Sequence, residues 1–295
     1  MLTVVGPTAA GKSALSLALA RELGGEVVNA DSMQLYRGMD IGTAKLTVTE
    51  RAGISHHLLD IWDVTVPAAV AEYQTLARAA IDDIAARGRV PLLVGGSGLY
   101  VRAVLEEFEF PGTDPEIRAR LEAELAESGP GPLFERLTAW DPAAAGKILP
   151  SNGRRIVRAL EVIELTGRPF TASLPAPAPH YPSVQIGVDR AVDELDRRIV
   201  ERVDTMWAAG LVDEVRGLIP SGLREGRTAA KALGYQQAIA QLDGELTEEQ
   251  AKADTAQGTR RFVRRQRSWF RRDPAIHWLD GGSATLVADA LAVAR

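Results

Sequence analysis

The 295-residue chain contains no cysteine, which excludes disulfide bonds and thiolate zinc sites. It also contains no apolar run that approaches the length of a membrane span. Its four histidines show none of the spacings of a metal site with a carboxylate partner. A strand pattern begins directly after Met1, so we expect no signal peptide. Together these absences predict a soluble, cytoplasmic protein that does not enter a membrane.

Acidic residues are missing from one part of the chain, although the net charge is −5. Between Arg260 and Arg272 there are seven arginines and no acidic residue. The arginines follow helical spacing and are interleaved with Phe262, Trp269 and Phe270. This combination suits a nucleic-acid backbone, and a solvated helix face is the alternative. A second, smaller basic cluster is formed by Arg154, Arg155 and Arg158.

Residues 6–13 read GPTAAGKS and match the phosphate-binding pattern G-x-x-x-x-G-K-[ST] without substitution. The preceding residues 2–5 are typical of a short buried strand, and residues 14–23 are strong helix formers. A glycine turn between a strand and a helix N-terminus gathers backbone N–H groups around an anion. Lys12 adds positive charge there, and the Ser13 hydroxyl can bind Mg²⁺. The loop therefore predicts a bound polyphosphate.

The first hundred residues alternate strand-like and helix-like segments, as expected for an α/β fold with a parallel sheet. Residues 111–182 change to helical periodicity and end in a proline-rich connector at 175–182. After that the chain is mostly helical, with one helix expected over 228–242. We predict a P-loop NTPase-like parallel sheet core, residues 1–110 and 183–295, with an α-helical insertion domain at 111–182 and a helical C-terminal part.

Two candidate groups follow predicted strands at the edge where ligands bind in open α/β sheets. Asp31 lies just past the second strand and can act as a general base or a metal ligand, with a turn cap as the alternative. Gly95–Gly98, which includes Ser97, offers further N–H groups to an anion, or forms a tight turn. A hydrolysing P-loop enzyme usually carries an acid here to hold Mg²⁺ and its water. The missing acid favours group transfer over hydrolysis.

The loop over residues 31–45 has no clear period and mixes hydrogen-bonding, aromatic and basic side chains, among them Gln34, Tyr36 and Lys45. Long irregular loops in compact domains tend to be functional. This mixture suits a nucleobase, and an ordered surface loop is the alternative.

In their order and spacing these segments resemble the tRNA dimethylallyltransferase family over nearly the whole chain. The motifs are GPTAAGKS at 6–13, NADSMQLYRGMDIGTAK at 29–45, HHLLD at 56–60, GGSGLY at 95–100, DPEIRARL at 114–121, NGRRIVRALEV at 152–162, ALGYQQ at 232–237 and RRQRSWFR at 264–271. The resemblance implies transfer of a dimethylallyl group from dimethylallyl diphosphate to the exocyclic N6 of the adenosine 3′ of the tRNA anticodon, with release of diphosphate. It also implies a reactant channel through the core.

The resemblance assigns roles to individual residues. Asp31 falls at the catalytic base, and Ser97 and Arg118 fall where the family places groups important for catalysis. The diphosphate, with Mg²⁺, is expected at the phosphate loop, formed by Gly6, Pro7, Thr8, Ala9, Ala10, Gly11, Lys12 and Ser13. The residues expected to face the anticodon stem-loop of the tRNA are Asp31, Ser32, Met33, Gln34, Arg154, Arg155, Arg158, Arg264, Arg265, Gln266, Arg267, Trp269 and Arg271. We expect a monomer.

Two other functions fit parts of the pattern. In a nucleotide or small-metabolite kinase, the phosphate loop would hold ATP, Asp31 would activate an acceptor hydroxyl, and the insertion would serve as a lid. The arginine-rich segment at 260–272 argues against this, because a small substrate does not need it. In a tRNA-binding protein the phosphate loop would be merely structural, which the intact Lys12–Ser13 pair opposes.

Overall fold

The structure is a computed structural model that describes residues 1–107, 110–170 and 178–295. Within these residues the strands are β1 (Leu2–Val5), β2 (Gly25–Asn29), β3 (His56–His57), β4 (Val90–Gly95), β5 (Val184–Asp189) and β6 (Ile276–Asp280). The helices are α1 (Lys12–Leu23), α2 (Val70–Ala86), α3 (Gly98–Leu105), α4 (Pro115–Ser128), α5 (Pro130–Trp140), α6 (Pro142–Ala145), α7 (Gly153–Thr166), α8 (Val192–Ala208), α9 (Leu211–Leu218), α10 (Tyr235–Leu242), α11 (Glu248–Phe270) and α12 (Leu286–Ala294). Short 3₁₀ helices cover Ile219–Ser221 and Ala229–Lys231.

The strands form one parallel sheet in the order β3–β2–β4–β1–β5–β6. Each residue of β1 is buried, and so are the last five of β4, as expected for central strands covered on both faces. Because the strands are parallel, the ends of β1, β2 and β4 meet at one edge. That edge carries the phosphate loop, Asp31 and the Gly95–Gly98 turn. The predicted P-loop-like α/β class is confirmed.

The chain separates into two compact units, one of residues 1–105 and 181–295 and one of residues 106–180. The first contains the sheet. The second is helical, with its own core built from α4, α5 and α7 around side chains such as Leu121, Leu137 and Leu160. The sequence placed the boundaries of the helical part at 111 and 182. Part of the expected proline-rich connector, residues 175–177, lies outside the described residues.

One local prediction was wrong. The single helix expected over 228–242 is broken, because Ala232 is extended and Gly234 has a φ of +90°, so α10 begins only at Tyr235. His56 and His57 form a short edge strand beside β2. The helical spacing of the arginine-rich segment is confirmed, because most of that segment lies in α11, which Thr247 begins with a capping box to Gln250. None of the helices in the described ranges is long and apolar enough to cross a bilayer.

A buried carboxylate joins the edge of the sheet to α2. Glu26 lies in β2 with a side chain only 5% exposed, and accepts hydrogen bonds from Arg87 Nη2 at 2.8 Å and from His57 Nε2 at 2.7 Å. The hydrogen bonds from Arg87, followed by the bond from His57, outweigh desolvation and lower the pKa of Glu26 to about 2. The charged carboxylate is therefore the form that stabilises the fold.

We predict that Glu26→Gln lowers the free energy of unfolding by about 3 kcal/mol at neutral pH. Because the pKa of Glu26 is depressed, its contribution is complete above the ordinary value of 4.5 and is lost as the pH falls toward 2. The difference between the two proteins should therefore shrink over that window in denaturant titrations. Glu22→Gln, at an exposed position on α1, is the control. A difference that does not depend on pH would contradict the prediction.

Candidate active site

The phosphate loop joins β1 to α1, and two of its glycines are required by its geometry. Gly6 has a φ of +141°, and a Cβ there would lie 2.1 Å from the Val188 carbonyl oxygen in β5. Gly11 has a φ of +111° at the start of α1. Both positions exclude ordinary side chains. Lys12 donates from Nζ to the Pro7 carbonyl at 2.8 Å, so the lysine closes the loop on itself.

Lys12 is half-buried beside the phosphate loop. Desolvation lowers its pKa to about 8, the charge of Asp31 raises it, and the charge of Arg202 lowers it. The pKa of Arg202 is also lowered, first by desolvation and then by Arg198, while Asp31 raises it. Positive groups are thus held near one another with one carboxylate nearby. An arriving anion would favour the charged forms of Lys12 and Arg202, because an opposite charge nearby raises the pKa of a cationic group.

Three arginines that the sequence analysis did not select support this loop. Arg198 Nε donates to the Ala9 carbonyl at 2.8 Å, and Arg190 Nε donates to the Ala10 carbonyl at 2.9 Å. A pocket beside the loop is lined by Lys12, Ser13, Arg198 and Arg202, among others. The available signal was the i,i+4 spacing of Arg198 and Arg202 on α8, next to its buried apolar face.

Asp31 is held at the end of β2 by its own turn. Its backbone N–H donates to Asn29 Oδ1 at 2.9 Å, and its Oδ1 accepts from the Met33 N–H at 3.0 Å. The Ser97 hydroxyl oxygen accepts from the Ser32 N–H at 3.2 Å, which connects this turn to the Gly95–Gly98 turn. The structure thus brings together Asp31 and Ser97, as the two strand ends predicted.

Asp31 and Ser97 open into a cavity of about 360 Å³. Its polar lining residues include Thr8 of the phosphate loop, Asp31, Ser97 and Arg202. Its apolar lining residues include Ile199, Val203, Met206, Ala232, Leu233 and Phe262. Ser32, Met33, Gly42, Thr43, Lys231, Thr255, Thr259 and Arg265 complete the lining. The cavity therefore suits a ligand that has both apolar groups and anionic or polar groups.

The loop over residues 31–45 is only partly available to a ligand. Tyr36 is fully buried, with its hydroxyl bonded to the Val66 carbonyl. Lys45 is buried as well, and its ammonium group contacts Asp40 and Asp60. The expectation that these two side chains bind a nucleobase was therefore wrong, because both are buried and bonded to other groups of the protein. The cavity-facing residues of this loop are Asp31, Ser32, Met33, Gly42 and Thr43.

Five residues near the C-terminal end of α11 that were expected to face tRNA reach the surface to different extents. Arg264 and Arg265 are exposed, and Trp269 is 40% exposed. Arg267 Nε and Arg271 Nη2 both lie 2.9 Å from Asp189 Oδ2, which joins the helix to the end of β5.

Gln266 is 6% exposed and lies in the interior. The prediction that Gln266 lies on a tRNA-facing surface was wrong. Its side-chain amide is hydrogen-bonded to the phosphate loop at one end and to the Gly95–Gly98 turn at the other.

The remaining predicted residues lie in the helical unit. Arg118 and Arg158 both pair with Glu161, which is completely buried, and Arg158 also donates to the Pro111 carbonyl. Arg154 and Arg155 are exposed at the start of α7. The catalytic role expected for Arg118 and the tRNA contacts expected for this cluster stay predictions.

The phosphate loop offers a side-chain oxygen that is compatible with binding Mg²⁺ together with a polyphosphate. Ser13 is exposed at the start of α1 and offers a hydroxyl oxygen, a donor of the type that Mg²⁺ takes. Among the described residues, no three His, Asp or Glu side chains form a cluster that could hold a metal ion by themselves. Phosphate oxygens and water would have to supply the other ligands.

Comparison with known proteins identifies the family of the chain. The model of the IPP transferase family matches residues 34–273. A tRNA dimethylallyltransferase from Salinispora arenicola is 72% identical over 295 residues, which cover 100% of this chain and 86% of that protein. The chain therefore belongs to the IPP transferase family.

Solved structures agree as well. The tRNA isopentenylpyrophosphate transferase of Bacillus halodurans superposes with a TM-score of 0.73 at 40% identity, covering 99% of this chain and 95% of that one. A eukaryotic dimethylallyltransferase described as acting on tRNA superposes with a TM-score of 0.86 at 26% identity, covering 100% of this chain and 77% of that one. The predicted family and the prenyltransferase class are confirmed, and the comparisons support this interpretation over a kinase.

We predict that affinity for inorganic diphosphate falls as the pH rises through 8. Because burial lowers the pKa of Lys12 to about 8, the empty site loses this positive charge above that pH. Binding should then be accompanied by proton uptake, measurable by calorimetry in buffers of different ionisation enthalpy. Lys12→Arg is the control, because a guanidinium stays charged throughout this range. Equal pH dependence in both proteins would contradict the assignment to Lys12.

Proposed function

We propose that the protein transfers a dimethylallyl group from dimethylallyl diphosphate to the exocyclic N6 of the adenosine 3′ of the tRNA anticodon, and releases diphosphate. The chain is a prenyltransferase by family. Support for tRNA as acceptor comes from the names of its relatives and from the exposed arginines of α11. Support for the donor comes from the cavity beside the phosphate loop.

The observation that carries the proposal is the composition of the 360 Å³ cavity. Asp31 and Ser97 line the same cavity as Thr8 of the phosphate loop, and apolar side chains such as Val203 and Met206 line it as well. A small allylic chain would pack against these apolar side chains while its diphosphate lies at the phosphate loop. Asp31 would then be close to the carbon that must be attacked. A phosphoryl acceptor would not require these apolar side chains.

Asp31 acts as the general base in this mechanism. The exocyclic nitrogen of adenine is a poor nucleophile, because its lone pair is delocalised into the ring. As this nitrogen forms a bond to the allylic carbon and the carbon–oxygen bond to diphosphate breaks, a proton passes from nitrogen to the Asp31 carboxylate. The Met33 N–H bond to Oδ1 fixes the orientation of the carboxylate. Ser97, bonded to the neighbouring Ser32 N–H, keeps the two turns in register.

The departing diphosphate needs positive charge. Lys12 and the N–H groups at the start of α1 supply it from the loop, and Arg202 supplies it from α8. Magnesium, held through Ser13 and the phosphate oxygens, would neutralise further charge when bound. By resemblance we include Arg118 among these groups. The apolar side chains that line the cavity would exclude water from the reacting groups.

The acceptor base must leave its stack to reach the cavity. Arg265 lines the cavity wall and lies 5.7 Å from the Phe262 ring centroid, so it can contact the RNA close to the point of entry. Arg264 and Trp269 offer a charge and a stacking surface on the same helix. Arg154 and Arg155 would contribute from α7. Monomeric state and cytoplasmic location stay predictions.

Label transfer tests the proposal directly. Incubation with unmodified tRNA and dimethylallyl diphosphate labelled in the prenyl group should place label in the RNA, and nuclease digestion should recover it in a modified adenosine. A tRNA with guanosine at the position 3′ of the anticodon is the matched control and should remain unlabelled. Label arriving in an acceptor only from γ-labelled ATP would overturn the proposal in favour of a kinase.

We predict that Asp31→Asn lowers the rate of transfer by a factor of about 10² or more, the range of general acid–base catalysis. Asparagine keeps an oxygen for the Met33 N–H but cannot accept the proton. Affinity for tRNA, measured by filter binding, should stay within about twofold of the wild type, since one carboxylate adds little to phosphate contacts. Asp63→Asn, at an exposed position, is the control. Transfer near the wild-type rate in Asp31→Asn would exclude Asp31 as the base.

A further inference from the structure

Gln266 connects the arginine-rich helix to both turns of the site. Its Nε2 donates to the Gly96 carbonyl at 2.9 Å, and its Oε1 accepts from the Thr8 N–H at 2.9 Å. The residue is 6% exposed, whereas Arg264 and Arg265 beside it are exposed. A primary amide offers one donor and one acceptor side, and here each side is used by a different loop.

The glycine turn is shaped to receive this helix. A Cβ at Gly96 would lie 2.4 Å from Gln266 Nε2, and a Cβ at Gly98 would lie 2.2 Å from the Trp269 ring. Gly96 also lies close to the phosphate loop, since the same Cβ would be 3.3 Å from the Gly6 carbonyl oxygen. The glycines at 96 and 98 therefore permit contact with α11, in addition to any contact with an anion.

We infer that Gln266 is a positioning residue that couples the tRNA-facing helix to the diphosphate loop. By bonding Thr8 and Gly96 together it sets the distance between the loop that holds the leaving group and the turn that carries Ser97. Contact of RNA with Arg264 or Arg265 would then stiffen the same helical turn that fixes the donor site. The coupling to RNA rests on the proposed function, whereas the bridge between the two loops does not.

Two substitutions separate positioning from simple packing. Gln266→Met keeps the length of the side chain and removes both hydrogen bonds. Gln266→Glu keeps an acceptor for the Thr8 N–H but places a second oxygen against the Gly96 carbonyl and adds negative charge beside the loop. Gln257→Met is the matched control, because Gln257 lies on the same helix and is exposed.

Inorganic diphosphate with Mg²⁺ serves as the first probe, measured by calorimetry. In Gln266→Met its affinity should fall about tenfold, and in Gln266→Glu further, since misplacement by a fraction of an ångström is costly at such sites. Hydrogen–deuterium exchange should increase in peptides that cover residues 6–13 and 95–100. Both measurements remain informative if the wild type does not prenylate tRNA, so failure of the proposed function would be seen separately.

Kinetics provide the second probe where transfer is active. The KM for dimethylallyl diphosphate should rise and kcat should fall, while tRNA affinity stays within about twofold of the wild type, since no RNA contact is removed. A lowered melting temperature with unchanged diphosphate affinity and unchanged exchange would show a structural role only and overturn the inference.

Gly96→Ala gives an independent check. Alone it should weaken diphosphate binding, because its Cβ displaces the Gln266 amide. In a Gln266→Ala background, where that space is open, it should cost much less, giving clear non-additivity. Strict additivity of the two changes would contradict the coupling.

Discussion

The whole site depends on close approach between backbone segments at one edge of the parallel sheet. Gly6 lies against the Val188 carbonyl, Gly95 against Ala30, and Gly281 against the Ala10 carbonyl, each closer than a Cβ would allow. These contacts bring the ends of β1, β2, β4, β5 and β6 together without side chains between them. The reacting groups can therefore lie within one small cavity, because the backbone beneath them occupies so little room.

Arginine side chains bind the backbone carbonyls of the phosphate loop and a carboxylate at the end of the sheet. Arg190 and Arg198 each donate from Nε to a carbonyl of the phosphate loop. Arg190 also pairs with Glu194 and donates to the Gly281 carbonyl, whereas Arg198 lines the pocket beside the loop. Asp189 is bound by Arg267 and Arg271, which holds the end of α11 to the sheet. Guanidinium groups suit both tasks, since they stay protonated even where burial depresses the pKa of a neighbouring lysine. The helix that offers charge to RNA is thus anchored by the same residue type.

Local patterns in the sequence predicted most of the fold and the centre of the site. The phosphate loop and its flanking elements are contiguous, so their chemistry is visible in eight residues. Asp31 and Ser97 were found because strand ends meet at one edge of a parallel sheet. Neither step required knowledge of distant packing.

The errors share a cause, which is that the deciding partner lies far along the chain. Gln266 stands in a run of arginines, and only its bond to Thr8, 258 residues away, shows that it is buried. Lys45 and Tyr36 were expected to bind a ligand. Instead, the Lys45 ammonium group binds Asp60, and the Tyr36 hydroxyl donates to the Val66 carbonyl. Arg198 and Arg202 look like ordinary surface residues of an amphipathic helix until α8 is placed beside the phosphate loop.

The grouping of Lys12, Arg198 and Arg202 has a consequence for the protein as a whole. Lys12 and Arg202 are partly desolvated and repel each other while the site is empty, and Arg198 repels Arg202, so the folded state carries an unfavourable electrostatic free energy. A bound polyanion removes it, and the unfolded chain has no comparable site. Occupancy of the donor site and resistance to unfolding are therefore thermodynamically linked, and the enzyme in a cell supplied with donor is more robust than the same chain in isolation.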